Sequence, residues 1–242
     1  MKPLANKIMQ VVILAGGLGT RLRPLTYKIP KPMIEINGKP FLEYLIRYLK
    51  IYNLKDILIC TCYLSEKIVS YFKNGSKLGV RIKFSNEEQP IGTGGALKNA
   101  EMFLNDKFIL LNGDTFIPLD YKELIRYHKN SSGKNVIVVN KNKKSQGNIM
   151  INKDKIVTKY NKKEKNLGYN DCGVQIFGKE VLKLIPKNKK VSLENEIFPL
   201  LIKKRKLIAF ETKTDFFDLG TFESIDKFKA VIKSYFRIKI IK

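Results

Sequence analysis

The segment that decides the fold lies near the start of the chain, where residues 8–22 read IMQVVILAGGLGTRL. Residues 8–14 are an apolar run of strand length, and they lead directly into a loop that contains Gly16, Gly17 and Gly19. Open α/β sheets bind ligands at the carboxyl ends of their strands. Glycines at such an end let the backbone adopt positive φ and bring its N–H groups close to phosphate oxygens. We therefore expect a parallel α/β sheet with a phosphate site at its edge, although a plain tight turn would use the same glycines.

Two familiar phosphate loops do not fit this segment, but the basic residues that follow it strengthen the phosphate interpretation. A dinucleotide fingerprint would need a small residue at Leu22, and a Walker A loop would need to end in Gly-Lys-Ser or Gly-Lys-Thr. Arg21 can bind a triphosphate through its planar fork. Lys31 stands between Pro30 and Pro32, which stiffen its backbone. A lysine held in this way favours a phosphate ligand over a freely moving surface charge.

Beyond the loop, apolar runs of strand length alternate with amphipathic runs of helix length, which is typical of βα units around a largely parallel sheet. Strands are predicted at residues 56–62, 80–84, 107–111, 135–139, 174–177, 207–211 and 216–219. Helices are predicted at residues 41–52, 65–73, 93–104, 121–129, 178–184, 192–204 and 221–235, the second of them capped by Ser65. Short alternating pieces at residues 149–151 and 156–160 indicate an antiparallel insertion.

The charge balance is strongly basic, with 46 Lys and Arg against 22 Asp and Glu in 242 residues and a formal net charge of +24. The lysines are scattered along the chain and only seven basic residues are arginine. Dedicated nucleic-acid readers favour arginine forks with interleaved aromatics, so we expect no nucleic-acid partner. A general positive field would still attract nucleotides and sugar phosphates.

The apolar segments, the cysteines and the single histidine also bear on where the protein works and how it folds. No run of about eighteen apolar residues and no apolar signal segment are present, so we expect no membrane partner and a cytoplasmic location. The three cysteines suit a reducing compartment, and Cys60 and Cys62 are predicted to lie in the core of a strand. His128, the only histidine, is predicted to lie on the surface of a lysine-rich helix.

A family resemblance rests on GGLGTRLRPLT at residues 16–26 followed by PKPM at residues 30–33. Together they resemble the signature of the sugar-1-phosphate nucleotidyltransferases, and the likeness extends to the last predicted helix. It implies a Rossmann-like three-layer α/β/α fold with a mixed, mostly parallel central sheet and a small antiparallel insertion. We expect one domain over residues 1–242, without the C-terminal left-handed β-helix of many relatives, and leave a homo-oligomer open.

The resemblance also implies a nucleotide site. The segment EEQPIGTGGAL at residues 87–97 looks like the nucleobase loop of the family, with Glu87 and the backbone facing the base and Gly92 allowing close approach. A glycine-rich turn from a strand into a helix is the alternative. The expected nucleotide-binding residues are Leu14, Ala15, Gly16, Gly17, Gly19, Thr20, Arg21, Lys31, Glu87, Gly92, Thr93 and Gly94.

Two aspartates stand at the ends of apolar strands, Asp114 in LLNGD and Asp218 in FFDLGT. One such residue could be only a helix N-cap, but two at separate strand ends favour a magnesium site of two carboxylates. In the family that this chain resembles, the matching aspartates hold Mg²⁺. The expected catalytic residues are therefore Arg21, Lys31, Asp114 and Asp218, and the expected metal ligands are the two aspartates.

On the sugar side, the resemblance implies that Gly147, Asp171 and Gly173 contact the sugar and that Lys163 holds its phosphate, although Lys163 could equally be a solvated charge. The family usually has an aromatic residue, any residue, glutamate and lysine where this chain has YNKK at residues 160–163. Lys162 therefore replaces a glutamate that typically binds sugar hydroxyls, which puts the familiar hexose specificities in doubt.

The expected reaction joins a nucleoside triphosphate to a sugar 1-phosphate with release of pyrophosphate. The sugar phosphate oxygen is already anionic, so alignment and charge neutralisation suffice without a general base. The carboxylate of Glu87 can accept the N1–H and N2–H of guanine, and the loop looks most like guanylyltransferases that act on mannose-like or heptose 1-phosphates. Uridylyl or thymidylyl transfer to a hexose 1-phosphate and a catalytically silent sensor are the alternatives.

Overall fold

The computed structural model describes residues 9–141, 147–164 and 166–240, with side chains up to residue 236. Its strands are β1 (Gln10–Leu14), β2 (Glu35–Ile36), β3 (Lys39–Pro40), β4 (Asp56–Thr61), β5 (Arg81–Asn86), β6 (Lys107–Asn112), β7 (Thr115–Phe116), β8 (Asn135–Lys141), β9 (Ile149–Ile151), β10 (Val157–Tyr160), β11 (Tyr169–Gly178), β12 (Leu207–Thr212) and β13 (Phe217–Asp218). Its α-helices are α1 (Phe41–Ile51), α2 (Ser65–Phe72), α3 (Gly92–Asn99), α4 (Tyr121–Lys129), α5 (Phe198–Lys203) and α6 (Phe222–Ile240).

Nine strands form the central sheet, in the order β10-β9-β11-β6-β1-β4-β5, with β8 beside β11 and β12 beside β8. The neighbours β6, β1, β4 and β5 are parallel, as are β8 and β12. β11 runs antiparallel to β6, β8 and β9, and β9 and β10 form the small antiparallel hairpin. The predicted α/β fold with a mixed, mostly parallel sheet is confirmed.

The core lies on both faces of this sheet because its central strands are buried on both sides. Along β1, Val11 and Ile13 face one apolar cluster and Val12 faces the other. Helix α1 covers the first face, and its residue Leu45 is 1% exposed. Successive residues of a strand point to opposite faces, so one short apolar segment contributes to both layers.

Several local predictions are corrected. Ser65 does not cap α2, because the helix begins at that residue and Leu64 precedes it in the left-handed region without a side-chain cap. The helix predicted at residues 178–184 is a 3-10 helix, Lys179–Leu184. The one predicted at residues 192–204 divides into a π-helical turn, Leu193–Ile197, and α5. The predicted first strand began at residue 8, which lies outside the described residues.

His128 is buried rather than exposed, with 3% of its surface accessible. It shares the inner face of α4 with Tyr121 and Leu124, which lie seven and four residues earlier. Burial lowers the pKa of His128, and the nearby charge of Lys107 lowers it further while Glu180 opposes both. The lysine-rich sequence hid this position because only the helical spacing identifies its face. Cys60 is buried as predicted, whereas Cys62 is half-buried just beyond the end of β4.

In the part of the chain that the structure describes, no helix is both long enough and apolar enough to cross a bilayer.

Candidate functional site

The site lies where β1, β4 and β6 end at the same edge of the sheet. Their register places Leu14 beside Cys60 on one side and Asn112 on the other. Just after β1, the Ala15 N–H donates to the Cys60 carbonyl of β4 at 2.8 Å. Just after β6, the Gly113 N–H donates to the Leu14 carbonyl of β1, also at 2.8 Å. Parallel register therefore brings the first glycine loop and the turn before Asp114 together.

A cavity of about 320 Å³ opens at this edge. It is bounded by the first glycine loop, the segment that precedes α3, the end of β6 and two side chains from the second half of the chain. Its lining residues are Leu14, Ala15, Gly16, Gly17, Lys31, Pro32, Cys60, Glu87, Pro90, Gly92, Thr93, Ala96, Asn112, Asp114, Lys162 and Glu194.

The first glycine loop turns tightly at Gly19, whose φ is +61°. A Cβ at this position would stand 3.0 Å from the Thr26 methyl carbon and 3.2 Å from the Lys31 Cβ. The Thr26 hydroxyl donates to the Gly19 carbonyl at 2.9 Å. This packing holds Lys31 against the loop. Thr20 and Arg21 follow in a 3-10 turn and are exposed outside the cavity wall.

Asp114 and Asp218 come together across a short antiparallel ladder. Strand β13 pairs with β7 so that Asp218 lies opposite Thr115, the residue after Asp114. The Leu219 N–H donates to the Asp114 carbonyl at 2.9 Å. The backbone segments that carry the two aspartates are therefore neighbours, although they come from distant stretches of sequence, and Asp114 also lines the cavity.

Two cations flank these carboxylates. Lys31 Nζ lies 2.5 Å from Asp114 Oδ2, with the lysine side chain almost fully buried. Arg21 lies beside the other turn, because a Cβ built on Gly220 would stand 3.2 Å from its guanidinium nitrogen. Gly220 in turn donates its N–H to Asp218 Oδ1 at 2.5 Å. The structure thus brings all four residues that we expected to be catalytic to one place.

Asp114 and Asp218 are the carboxylates at this position that could bind a divalent cation. The part of the chain that the structure describes holds no group of three or more His, Cys, Asp or Glu side chains that could bind a metal alone. Magnesium is commonly bound by one or two carboxylates together with substrate phosphates. Asp114 and Asp218 therefore fit a metal that arrives with a triphosphate.

Glu87 closes the other end of the cavity and is 8% exposed. Its N–H pairs with the Thr61 carbonyl at 2.9 Å, which extends β5 past its last strand residue. The carboxylate accepts the Ile91 N–H at 3.3 Å, and burial raises its pKa while that hydrogen bond opposes the rise. One carboxylate oxygen of Glu87 thus accepts a backbone hydrogen bond, and the side chain lines the cavity.

Gly92 and Gly94 pack against Val191 in the second half of the chain, a contact that the sequence did not reveal. A Cβ on Gly92 would stand 2.5 Å from the Val191 carbonyl oxygen, and one on Gly94 would stand 2.9 Å from a Val191 methyl. The Gly94 N–H donates to the Val191 carbonyl at 2.8 Å. These glycines dock the start of α3 onto the second half of the chain. Gly92 and Thr93 also line the cavity, whereas Gly94 does not.

The residues expected on the sugar side divide into two groups. Gly173, at φ +68°, packs on the Asn112 amide and the Thr115 hydroxyl, close to Asp114. Asp171 accepts the Gly173 N–H at 2.9 Å and the Tyr160 hydroxyl at 3.0 Å. Burial raises the pKa of Asp171 to about 6, although both hydrogen bonds oppose the rise. Gly173 thus lies against the residues that flank Asp114, but neither Gly173 nor Asp171 is among the residues that line the cavity.

The other group lies away from the cavity. Gly147 packs on the backbone of Tyr169, and Gln146 before it lies outside the described residues. Lys163 is exposed and is not among the lining residues, whereas Lys162 is. Sequence reasoning also missed Glu194, because its segment was interpreted as a helix start. The departure of Lys162 from the family pattern was the signal that pointed to this wall.

Comparison with known proteins decides the family. The family model described as Nucleotidyl transferase matches residues 10–234. This chain belongs to the nucleotidyl transferase family. Members of this family generally use a divalent metal, which agrees with the two-carboxylate arrangement of this nucleotidyl transferase.

Individual relatives agree with this assignment. The D-glycero-alpha-D-manno-heptose 1-phosphate guanylyltransferase of Campylobacter jejuni is 47% identical over 116 residues, which cover 48% of this chain and 52% of that protein. The mannose-1-phosphate guanyltransferase of Saccharomyces cerevisiae is 35% identical over 222 residues, or 88% of this chain and 61% of that protein. The matches thus span between half and two thirds of the length of these relatives.

Solved structures give the same fold. HddC from Yersinia pseudotuberculosis, crystallised with GMP-PN, is 34% identical with a TM-score of 0.77, covering 90% of this chain and 97% of HddC. A putative glucose-1-phosphate thymidylyltransferase from Bacillus anthracis has a TM-score of 0.82 at 22% identity, covering 93% of this chain and 95% of that one. At that identity the second likeness concerns the fold alone.

Proposed function

We propose that this nucleotidyl transferase moves GMP from GTP to a mannose-like or D-glycero-D-manno-heptose 1-phosphate, forming a nucleoside diphosphate sugar and pyrophosphate. The observation that carries the proposal is the meeting of Asp114, Asp218, Lys31 and Arg21 beside a cavity that Lys31, Asp114 and Glu87 help to line. Guanylyltransferases of heptose and mannose 1-phosphates among the relatives support it.

Asp114 and Asp218 hold Mg²⁺ in this proposal. A bound Mg²⁺ supplies positive charge to the phosphates of both substrates. Arg21 binds the β- and γ-phosphates, and Lys31 lies nearer the α-phosphate, where its ammonium offsets the charge that builds up during transfer. The glycine loop brings backbone N–H groups toward the same phosphates.

Transfer requires no general base. A phosphate oxygen of the sugar substrate forms the new bond to the α-phosphorus, and the bond from that phosphorus to the bridging oxygen of pyrophosphate breaks in line. The attacking oxygen is anionic at neutral pH, so the residues of the site need only align it and neutralise charge. The composition of the cavity wall fits this chemistry, since its lining residues include no histidine.

Glu87 favours guanine in this proposal. A carboxylate can accept two hydrogen bonds side by side, and guanine offers the N1–H and the N2–H on one edge, whereas uracil and thymine offer a single N3–H. The related HddC was crystallised with the guanine nucleotide analogue GMP-PN. Uridylyl or thymidylyl transfer is the alternative that a substrate screen would detect.

The free thiols of Cys60, Cys62 and Cys172 suit a cytoplasmic enzyme.

The test is a screen of GTP, ATP, CTP, UTP and dTTP against aldose 1-phosphates, with pyrophosphate release as the readout and with magnesium or a chelator present. We expect release with GTP and a manno-configured 1-phosphate in magnesium only. Faster release with UTP or dTTP would overturn the guanine assignment. No release with any pair, together with tight binding of a nucleotide sugar, would instead support a silent sensor.

A further inference from the structure

A lysine and a glutamate from separate segments meet on the cavity wall. Lys162 lies in the turn after β10, and Glu194 lies in the π-helical turn before α5. Lys162 Nζ stands 3.3 Å from Glu194 Oε1, and both side chains line the cavity. Neither residue is among those that the mechanism above uses.

The carboxylate of Glu194 is held in one orientation. Its Oε2 accepts the Thr93 hydroxyl and the Ser192 hydroxyl, each at 2.8 Å. Burial works to raise the pKa of Glu194, but Lys162 and the hydroxyl hydrogen bonds outweigh it, so the pKa is lowered. Glu194 is therefore a preorganised anion whose Oε1 points to Lys162 and the cavity.

The backbone that carries Lys162 is also fixed. The Asn161 N–H donates to the Asn148 carbonyl at 2.9 Å, and the Lys163 N–H donates to the Asn161 side chain at 3.0 Å. Tyr160, just before the turn, packs its ring on Phe198 with centroids 5.1 Å apart. These contacts hold the backbone of the turn in place, although about half of the Lys162 side chain is exposed.

The charges of this pair suit a neutral diol. A glutamate at position 162 would place two carboxylates here, next to Asp171. Lys162 instead gives an ammonium beside a carboxylate, so one group donates while the other accepts. Two neighbouring hydroxyls of a sugar offer the matching pattern, because each is both a donor and an acceptor.

We propose, building on the proposed function, that Lys162 and Glu194 select the acceptor by binding two adjacent hydroxyls of the sugar 1-phosphate. Glu194 Oε1 accepts one hydroxyl, and Lys162 donates to the oxygen of the next. Lys162 is then the cation that faces the sugar ring, while Lys163 points elsewhere.

The test compares Lys162→Ala, Lys162→Glu and Glu194→Gln with wild type in pyrophosphate release. Lys159→Ala is the matched control. Lys159 lies on β10, just before the turn with Lys162, and its Nζ stands 2.6 Å from Glu164 Oε2, but it does not line the cavity. We expect KM for the sugar 1-phosphate to rise about ten- to a hundredfold in the three variants. KM for GTP should stay within about twofold, because charge and hydrogen bonds change only at the sugar.

Deoxy analogues of the best sugar 1-phosphate sharpen the test. Wild type and Lys159→Ala should lose activity with the analogues that lack either of two adjacent hydroxyls. Lys162→Ala should lose this discrimination at one hydroxyl and Glu194→Gln at the other.

Each outcome has a defined meaning. If wild type is active but all three variants keep the KM for the sugar and the deoxy discrimination, the pair does not read the sugar and the proposed function stands. If KM for GTP rises equally, Glu194 acts only by supporting Thr93, which also contradicts the inference. If wild type releases no pyrophosphate with any pair, the proposed function fails and the inference fails with it. Lys162→Ala alters an exposed side chain, so it keeps the test valid if Glu194→Gln does not fold.

Discussion

Lys31 and Asp114 form an ion pair 2.5 Å long, in which the lysine side chain is 9% exposed and the aspartate side chain 34% exposed. The carboxylate proposed to bind magnesium is thus already neutralised by a cation of the same site. In the proposed function, a divalent cation and Lys31 would therefore share or exchange this carboxylate when the substrates bind.

Lys31→Gln should therefore separate two effects. Removal of the competing ammonium should lower the magnesium concentration for half-maximal activity severalfold. Turnover should fall by about two or three powers of ten, because charge on the transferring phosphate is no longer offset. A magnesium titration of pyrophosphate release measures both, with the exposed Lys39→Gln as the control. A higher magnesium requirement in Lys31→Gln would contradict competition.

Asp114→Asn and Asp218→Asn should each reduce turnover by several powers of ten while the protein stays folded, because a ligand charge is lost without loss of volume. Single-turnover rates and thermal unfolding measure the two properties. Asp226→Asn is the matched control, since this exposed residue pairs with Lys229 on α6. Near-normal turnover of Asp218→Asn in magnesium would show that the metal lies elsewhere.

Glu87→Gln should change how GTP binding depends on pH. The raised pKa of Glu87 means that it gains a proton at a higher pH than an ordinary glutamate, and the protonated form is a poorer acceptor for guanine. The affinity of wild type for GTP should therefore fall as the pH drops toward that raised pKa. In Glu87→Gln the affinity should be about tenfold weaker at pH 7.5 and flatter below it.

Calorimetric titration of GTP between pH 7.5 and pH 5 measures this difference. Glu88→Gln alters the exposed neighbour and should keep the wild-type profile. Parallel profiles for wild type and Glu87→Gln would remove Glu87 from guanine recognition.

Tyr121→Phe should stabilise the fold. The Tyr121 hydroxyl is buried and has no hydrogen-bond partner among the described residues. Its removal should raise the free energy of unfolding by about 1 kcal/mol, because an unsatisfied buried polar group is lost. Tyr44→Phe is the counterpart, since the Tyr44 hydroxyl donates to the Ile36 carbonyl at 2.8 Å, and it should lower that free energy by about 1 kcal/mol. Urea unfolding measures both, and destabilisation by Tyr121→Phe would contradict the assignment.

The part of the site that lies at strand ends was predictable from the sequence. Apolar runs that end in glycine or aspartate identify the edge where parallel strands finish, and this local signal located the first glycine loop and Asp114. That Asp218 lies near Asp114 was expected from two aspartates at separate strand ends together with the family resemblance. It depends on the β7–β13 ladder, which pairs segments far apart in the chain.

Sequence reasoning fell short where packing between distant segments decides the outcome. The contact of Gly92 with the Val191 carbonyl was not predicted, because no local pattern identifies that partner. His128 is polar by type, but its position on the inner face of α4 buries it. The contact between Lys162 and Glu194 joins the turn after β10 to a π-helical turn. The sequence had suggested that the segment with Glu194 was the start of a helix.

Strand β11 links the two substrate sides by a single stretch of backbone. It pairs with β6 next to the nucleotide loops and with β9 of the hairpin that leads into the turn with Lys162. A single strand that pairs with both elements fixes the spacing between the two proposed binding regions. A bisubstrate inhibitor that tethers a guanosine to an aldose would thus need one linker length, and its avidity would come from effective concentration rather than from new contacts.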